Sequence, residues 1–243
     1  MAARSACYSA SVFDGQQLKV SVSVVCLGPK RVESATELIE RRIVDELHLD
    51  YFPGGPHCSV GLMESEIREL AGATATIHLW GSMESFERLG LRPRAGLRVV
   101  VQQFVPGGFA AAAQLRDAGW DVGWSIEAAQ WTSAAKRWVG QAKRPRHIQV
   151  LSTTTPGRPG GLFSSEAKAA VECFVGMGLE VSLDGGVSET AVRSISGLTT
   201  VVIGTNVLGG RGALPDEVAA RVAAFMPPGA HPSFADQTST WGE

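Results

Sequence analysis

Short apolar stretches rich in β-branched residues recur along the chain, at residues 18–25, 45–50, 74–79, 97–102, 121–126, 147–152, 179–184 and 199–203. Each is followed by enough chain for one helix and its turns, so the spacing predicts eight strand-plus-helix units. Several stretches are nearly continuous in apolar residues, as expected of strands buried on both faces. Helical spacing appears between them. Residues 31–43 place Val32, Ala35, Leu38, Ile39 and Ile43 near one face. Residues 109–118 are alanine-rich and end at Gly119, and residues 164–177 open on two serines and stop before Gly178. Ser188 and Glu189 open a helix over 190–195, and a last one over 216–225 follows Pro215 and ends before Pro227. Weaker helical patterns fall at 65–70, 82–89 and 132–141.

Alternation of this kind predicts a single α/β domain over residues 1–243, a (β/α)8 barrel with irregular ends at about 1–17 and 227–243. The rival doubly wound sheet carries a glycine fingerprint after its first strand, and VVCLGPKR is not one. A chain of 243 residues buries roughly three-quarters of its unfolded surface, so it needs no staples. Charged residues make up 19% and the net charge is -2, with no long run of one sign; neither nucleic acid nor an anionic membrane is the expected partner. Cys7, Cys26, Cys58 and Cys173 show no CxxC spacing, which argues against a disulfide framework or a structural zinc and suits a reducing cytoplasm. No apolar run reaches the ~18 residues of a membrane span. The N-terminal MAARSACYSASVFDGQQ lacks the apolar core of a signal peptide, so the expected location is the cytoplasm.

Barrels of this class keep their active sites at the C-terminal ends of the strands, and those ends are chemically rich. The second strand ends in ELHLDYFPGG, the third in TIHLWG and the seventh in SLDGGV, which places His48, Asp50, His78 and Asp184 at one end of the barrel. His48 and Asp50 are two apart on a strand, so they share a face. Any one of the four, taken alone, reads more readily as a hydrogen-bonded strand end than as a ligand. Together they form a mixed nitrogen and oxygen donor set for one divalent ion, better suited to zinc, manganese, iron or cobalt than to magnesium. A second constellation is the glycine-rich loops. TPGRPGG at 155–161 follows the sixth strand, Gly185 and Gly186 the seventh, and Gly204 and Thr205 the eighth. Such loops bring backbone N–H groups close to an anion, and the last loops of these barrels are a frequent phosphate site; tight turns are the alternative reading.

On VLSTTTPGRPGGLF, SLDGGVSETAV…VVIGTNVLGG, HLDYFPG and TIHLW, the sequence resembles the ribulose-phosphate 3-epimerase family over about residues 19–209. The resemblance implies that His48, Asp50, His78 and Asp184 hold one metal ion per chain. It implies a serine at Ser23 and a phosphate cradle of Gly157, Gly160, Gly185, Gly186, Gly204 and Thr205. It further implies a metal-held ketose phosphate, epimerised at C3 through an enediolate with Asp50 and Asp184 as acid and base, in a homo-oligomer. The chain departs from the family around the substrate. Phe52, Trp80 and Ser152 stand where the family has methionines, Pro53 replaces an aspartate, Arg158 and Pro159 replace Phe-Gly, and the histidine near the fourth strand end is missing from VVVQQF. Glu127 and Gln130 are candidates to reach sugar hydroxyls, His57 is a further acid–base or surface group, and Trp120, Trp124, Trp131 and Trp138 pack the fifth unit or form a subunit contact. Two alternatives stay open. One is a lyase, synthase or isomerase of sugar phosphates on the same barrel. Such enzymes typically place a lysine near the second or third strand ends, and no lysine lies between Lys30 and Lys136. The other is a non-catalytic binding protein.

Overall fold

The computed structural model describes residues 18–53, 61–138, 145–153, 163–209 and 212–225, without the side chains of 137, 138, 224 and 225. Eight strands appear: β1 Lys19–Ser23, β2 Glu46–Tyr51, β3 Ala75–Leu79, β4 Leu97–Gln102, β5 Asp121–Glu127, β6 His147–Leu151, β7 Glu180–Asp184 and β8 Thr200–Ile203. All neighbours pair in parallel, and β8 pairs with β1, so the sheet closes into a barrel in chain order. Helices follow the strands: α1 Arg31–Glu40, α2 Glu64–Leu70, α3 Met83–Glu87, α4 Gly108–Asp117, α5 Trp131–Trp138, α6 Ser165–Gly176, α7 Glu189–Arg193, α8 Thr205–Leu208 and α9 Pro215–Phe225. The eight expected strands are all present, with ends shifted by a residue or two. The largest shift is in β1, which stops at Ser23 because Val24–Leu27 turn into a short 3-10 helix that buries Val24 and Leu27. None of the helices of the described residues is long and apolar enough to cross a membrane.

The two faces of the strands differ in a way the apolar runs concealed. On β2, Leu47, Leu49 and Tyr51 are buried among helix residues such as Ala35, Leu38 and Ile67, in one continuous apolar cluster between strands and helices. Each buried leucine or isoleucine there contributes roughly 1.5–3 kcal/mol, so this layer carries most of the folding free energy. The alternating residues His48 and Asp50 face the barrel axis. The same alternation holds on β7, where Val181 and Leu183 join the apolar cluster while Ser182 and Asp184 do not. Interior barrel positions are usually filled by branched apolar side chains. Here Val100, Leu151 and Val202, in register with His78 and Asp184, are the apolar members of an otherwise polar interior at that level. The strands are buried on both faces, as their runs imply; one face is apolar, and the inner one carries polar groups as well.

Three of the four tryptophans around the fifth unit pack. Trp120 and Trp124 are buried, edge-on to Phe86 and Phe109, and Trp131 leans on the apolar cluster, which leaves little of Trp120 or Trp124 for a subunit contact.

Candidate metal centre

β2, β3 and β7 deliver His48, Asp50, His78 and Asp184 to one point on the barrel axis. One donor atom from each lies within 4.8 Å of all the others. His48 Nε2 is 3.3 Å from Asp50 Oδ1 and 3.6 Å from Asp184 Oδ2, and His78 Nδ1 is 3.3 Å from Asp50 Oδ1. Ligands about 2.0–2.2 Å from a tetrahedral or octahedral ion stand roughly 3–3.5 Å apart, which is the spacing of these close pairs. The contact between β2 and β7 spans β1 and β8, so barrel closure, and not chain proximity, creates it.

The hydrogen bonding fits a cation. Both histidines are almost fully buried, and neither ring nitrogen of His48 has an aligned hydrogen-bond partner among the described residues. A buried polar atom without a partner costs about 1–3 kcal/mol, and Nε2 of His48 is aimed among carboxylate oxygens at distances an ion would bridge. The donor set of two imidazoles and two carboxylates offers coordination for one divalent cation.

Burial and charge push the two carboxyls apart. For Asp50, burial raises the pKa, but the positive charge of His48 and the neighbouring His78 imidazole outweigh it and hold the carboxyl well below its usual range. For Asp184, burial and the neighbouring Asp50 charge raise the pKa against the pull of His48 and His78. Burial lowers the His48 pKa, yet Asp50 and Asp184 more than offset this and lift it to about 9.

Around the four lie groups of two kinds. Some were legible in the sequence. Ser23, at the end of β1, donates its hydroxyl to Asp50 Oδ2 at 3.3 Å, so it contacts a candidate ligand directly. Trp80 and Phe52 stack at 5.2 Å between ring centroids, and the Trp80 indole donates to His78 Nδ1 at 3.3 Å. Ser152 donates its hydroxyl to the Gly185 carbonyl, tying the ends of β6 and β7 together. Gly185 and Gly186 take positive φ values of 86° and 62°, and a Cβ on Gly185 would meet the Thr153 side chain at 2.6 Å. Gly204 and Thr205 follow β8 at the same barrel end, beside Cys26. Gly157, Gly160, Arg158, Pro159 and His57 lie outside the described residues. Gln130 is turned back on its own loop, its side-chain oxygen accepting from the Glu127 backbone N–H at 3.4 Å.

Two residues escaped the sequence reading. Gln149 of β6 donates to Asp184 Oδ2 at 3.0 Å and lies 3.2 Å from His78 Nδ1, while Gln102 of β4 places Oε1 3.3 Å from His78 Nε2. Their signal was a buried-strand glutamine in an apolar run, VVVQ and HIQVL, at the parity of the inward-facing residues.

No family model and no curated protein matches the chain. Solved structures do. Phosphoribosyl anthranilate isomerase from Thermus thermophilus is similar with a TM-score of 0.58 at 13% identity, over 85% of this chain and 99% of that one. 3-Keto-L-gulonate-6-phosphate decarboxylase from Vibrio cholerae O1 biovar El Tor str. N16961 gives 0.57 at 12% identity, over 87% and 100%. 3-Hexulose-6-phosphate synthase gives 0.54 at 16% identity, over 86% and 100%. What this chain shares with these three enzymes is the eight-stranded α/β barrel.

Proposed function

We propose that this chain is a metal-dependent sugar-phosphate enzyme that epimerises C3 of a ketose phosphate, such as ribulose 5-phosphate to xylulose 5-phosphate. The observation that carries the reading is the convergence of Asp50 and Asp184, from strands separated by β1 and β8, on two buried imidazoles at the C-terminal barrel end. Inversion needs an acid and a base on opposite faces of a planar intermediate, and two carboxyls with pKa values pushed apart are suited to it. His48, Asp50, His78 and Asp184 would hold a zinc, manganese, iron or cobalt ion, which would supply positive charge beside the reacting oxygens.

The side chains divide the remaining work. One carboxylate takes the C3 proton, leaving its electron pair in the enediolate, and the other delivers a proton to the opposite face of the same carbon. The roles exchange in the reverse direction; after each turnover the base releases its proton to solvent and the acid takes one up, which restores the starting protonation. Ser23 holds Asp50 by one oxygen and leaves the other facing the cluster. The buried Phe52 and the half-buried Trp80 wall the site beside His78 and limit water there. Backbone N–H groups of the loops containing Gly157, Gly160, Gly185, Gly186, Gly204 and Thr205 are assigned to the phosphate.

Proton NMR in D2O with metal-loaded protein tests this, starting from ribulose 5-phosphate. Deuterium at C3 together with the C3 epimer is the expected result; no exchange across a panel of ketose phosphates would end the epimerase reading. The similar decarboxylase and synthase barrels favour a second one, a lyase or synthase of sugar phosphates. In the same spectra that reaction would break or form a carbon–carbon bond and leave a sugar of different carbon number.

A further inference from the structure

We infer that Gln102 is a positioning residue: it fixes the tautomer of His78 so that Nδ1, and not Nε2, is the metal donor. The inference rests on the metal reading above. Three groups surround Nδ1 of His78. They are the Trp80 indole nitrogen at 3.3 Å, the Gln149 amide nitrogen at 3.2 Å and Asp50 Oδ1 at 3.3 Å. An indole N–H only donates, and the Gln149 nitrogen is also the one that donates to Asp184 Oδ2 at 3.0 Å. Both donors call for a lone pair on Nδ1, and an ion held between Nδ1 and Asp50 Oδ1 would call for the same lone pair. The ring proton of the neutral imidazole is then on Nε2, where Oε1 of Gln102 stands 3.3 Å away to accept it.

The arrangement is specific to His78. His48 presents the other nitrogen, Nε2, to the carboxylates, and its Nδ1 has no partner among the described residues. Gln102 is 1% exposed and ends β4. A Cβ on Gly108 would overlap its backbone carbonyl, so the start of α4 presses on the strand end and restrains it. A partner on the far ring nitrogen selects the tautomer and raises the basicity of the ligating one. An ion at Nδ1 would take the place of the donors from Trp80 and Gln149 on that lone pair, leaving Gln149 on Asp184 and Gln102 as the hydrogen-bond partner of a ring that also packs on His48 and Trp80.

The test uses the full chain as wild type, Gln102→Met and Gln102→Glu. Zinc affinity is measured by competition with a chromophoric chelator, and long-range 15N–1H spectra of the zinc-loaded wild type show which His78 nitrogen bears hydrogen. The expected results are one zinc per chain, hydrogen on Nε2 of His78, a roughly 10- to 100-fold weaker affinity in Gln102→Met, and recovery in Gln102→Glu, which restores an acceptor. Melting of the metal-free proteins separates this from general destabilisation, which would not be rescued by the carboxylate alone. Zinc held by Gln102→Met as tightly as by wild type, or hydrogen on Nδ1 of His78, would overturn the inference while leaving the metal centre standing. A wild-type chain that takes up no zinc, manganese, iron or cobalt would remove the metal reading itself.

Discussion

At the N-terminal end of the barrel, Arg98 of β4 pairs with Asp121 of β5 at 2.8 Å and reaches Glu180 of β7 at 3.2 Å. At the C-terminal end, Asp50 and Asp184 face imidazoles, a hydroxyl and an amide, and no lysine or arginine among the described residues pairs with them. Both ends put carboxylates around the axis of one polar interior. The lower end carries its own permanent cation, while the upper end holds groups whose charge depends on protons or on an ion. Between them His147 is buried with Nε2 3.0 Å from Ser182 Oγ. Burial, with the Arg98 charge adding, pushes its pKa well below the ordinary value, so it stays neutral and does not link the two ends. The lower end meets its carboxylates with a fixed guanidinium; the upper end meets its own with titratable imidazoles, which can give up their protons to a cation.

The largest expected effect breaks the upper end. Asp184→Asn removes one of the two carboxyls to which acid–base work is proposed and should lower turnover by about 10²–10⁴-fold. Metal-free Asp184→Asn melts no lower than wild type, because a buried carboxyl held above its usual pKa is an electrostatic cost. Turnover near wild type in the D2O assay would dissolve the distinction drawn for this end.

Next comes pH. His48 of the metal-free chain keeps its proton up to about 9, and a ligating imidazole must be neutral. Ion binding therefore expels that proton, which becomes easier as pH rises. Zinc affinity should climb close to tenfold per pH unit from about pH 7 and flatten near pH 9. An affinity independent of pH, read by chelator competition, would show that His48 is not displaced from its protonated state.

Removal of the ion is expected to act at a similar scale. At a hundredfold excess over Kd, a bound ion stabilises the fold by about 2.7 kcal/mol. EDTA should lower Tm accordingly, and re-addition should restore it. Arg98→Met gives the smallest effect and sharpens the comparison from below. Asp121 and Glu180 are about half exposed, so solvent screens them and the loss is about 1–2 kcal/mol in chemical denaturation. Zinc affinity should not change; if it fell by the factor expected of an upper-end variant, the two ends would be coupled.

Much of this was written locally. All eight strands and the barrel order follow from apolar runs at regular spacing, and the four clustered side chains could be named because strand ends of a parallel barrel are where such groups act. The four-residue helix α8 escaped, since so short a segment has no period to detect. The apolar runs also hid the polar interior, because residues such as Val100 and Leu151 share the inner face with His78 and Asp184 and blur the alternation.

By itself the sequence determined where the strands lie and that His48 and Asp50 share one face, because strand periodicity is a property of adjacent residues. Only the closed barrel decided which groups meet across it. His78 finds Gln102 24 residues away and Gln149 71 residues away, and His48 finds Asp184 through the interior. Those contacts depend on the stagger with which eight strands close on themselves, and stagger is a property of the whole sheet.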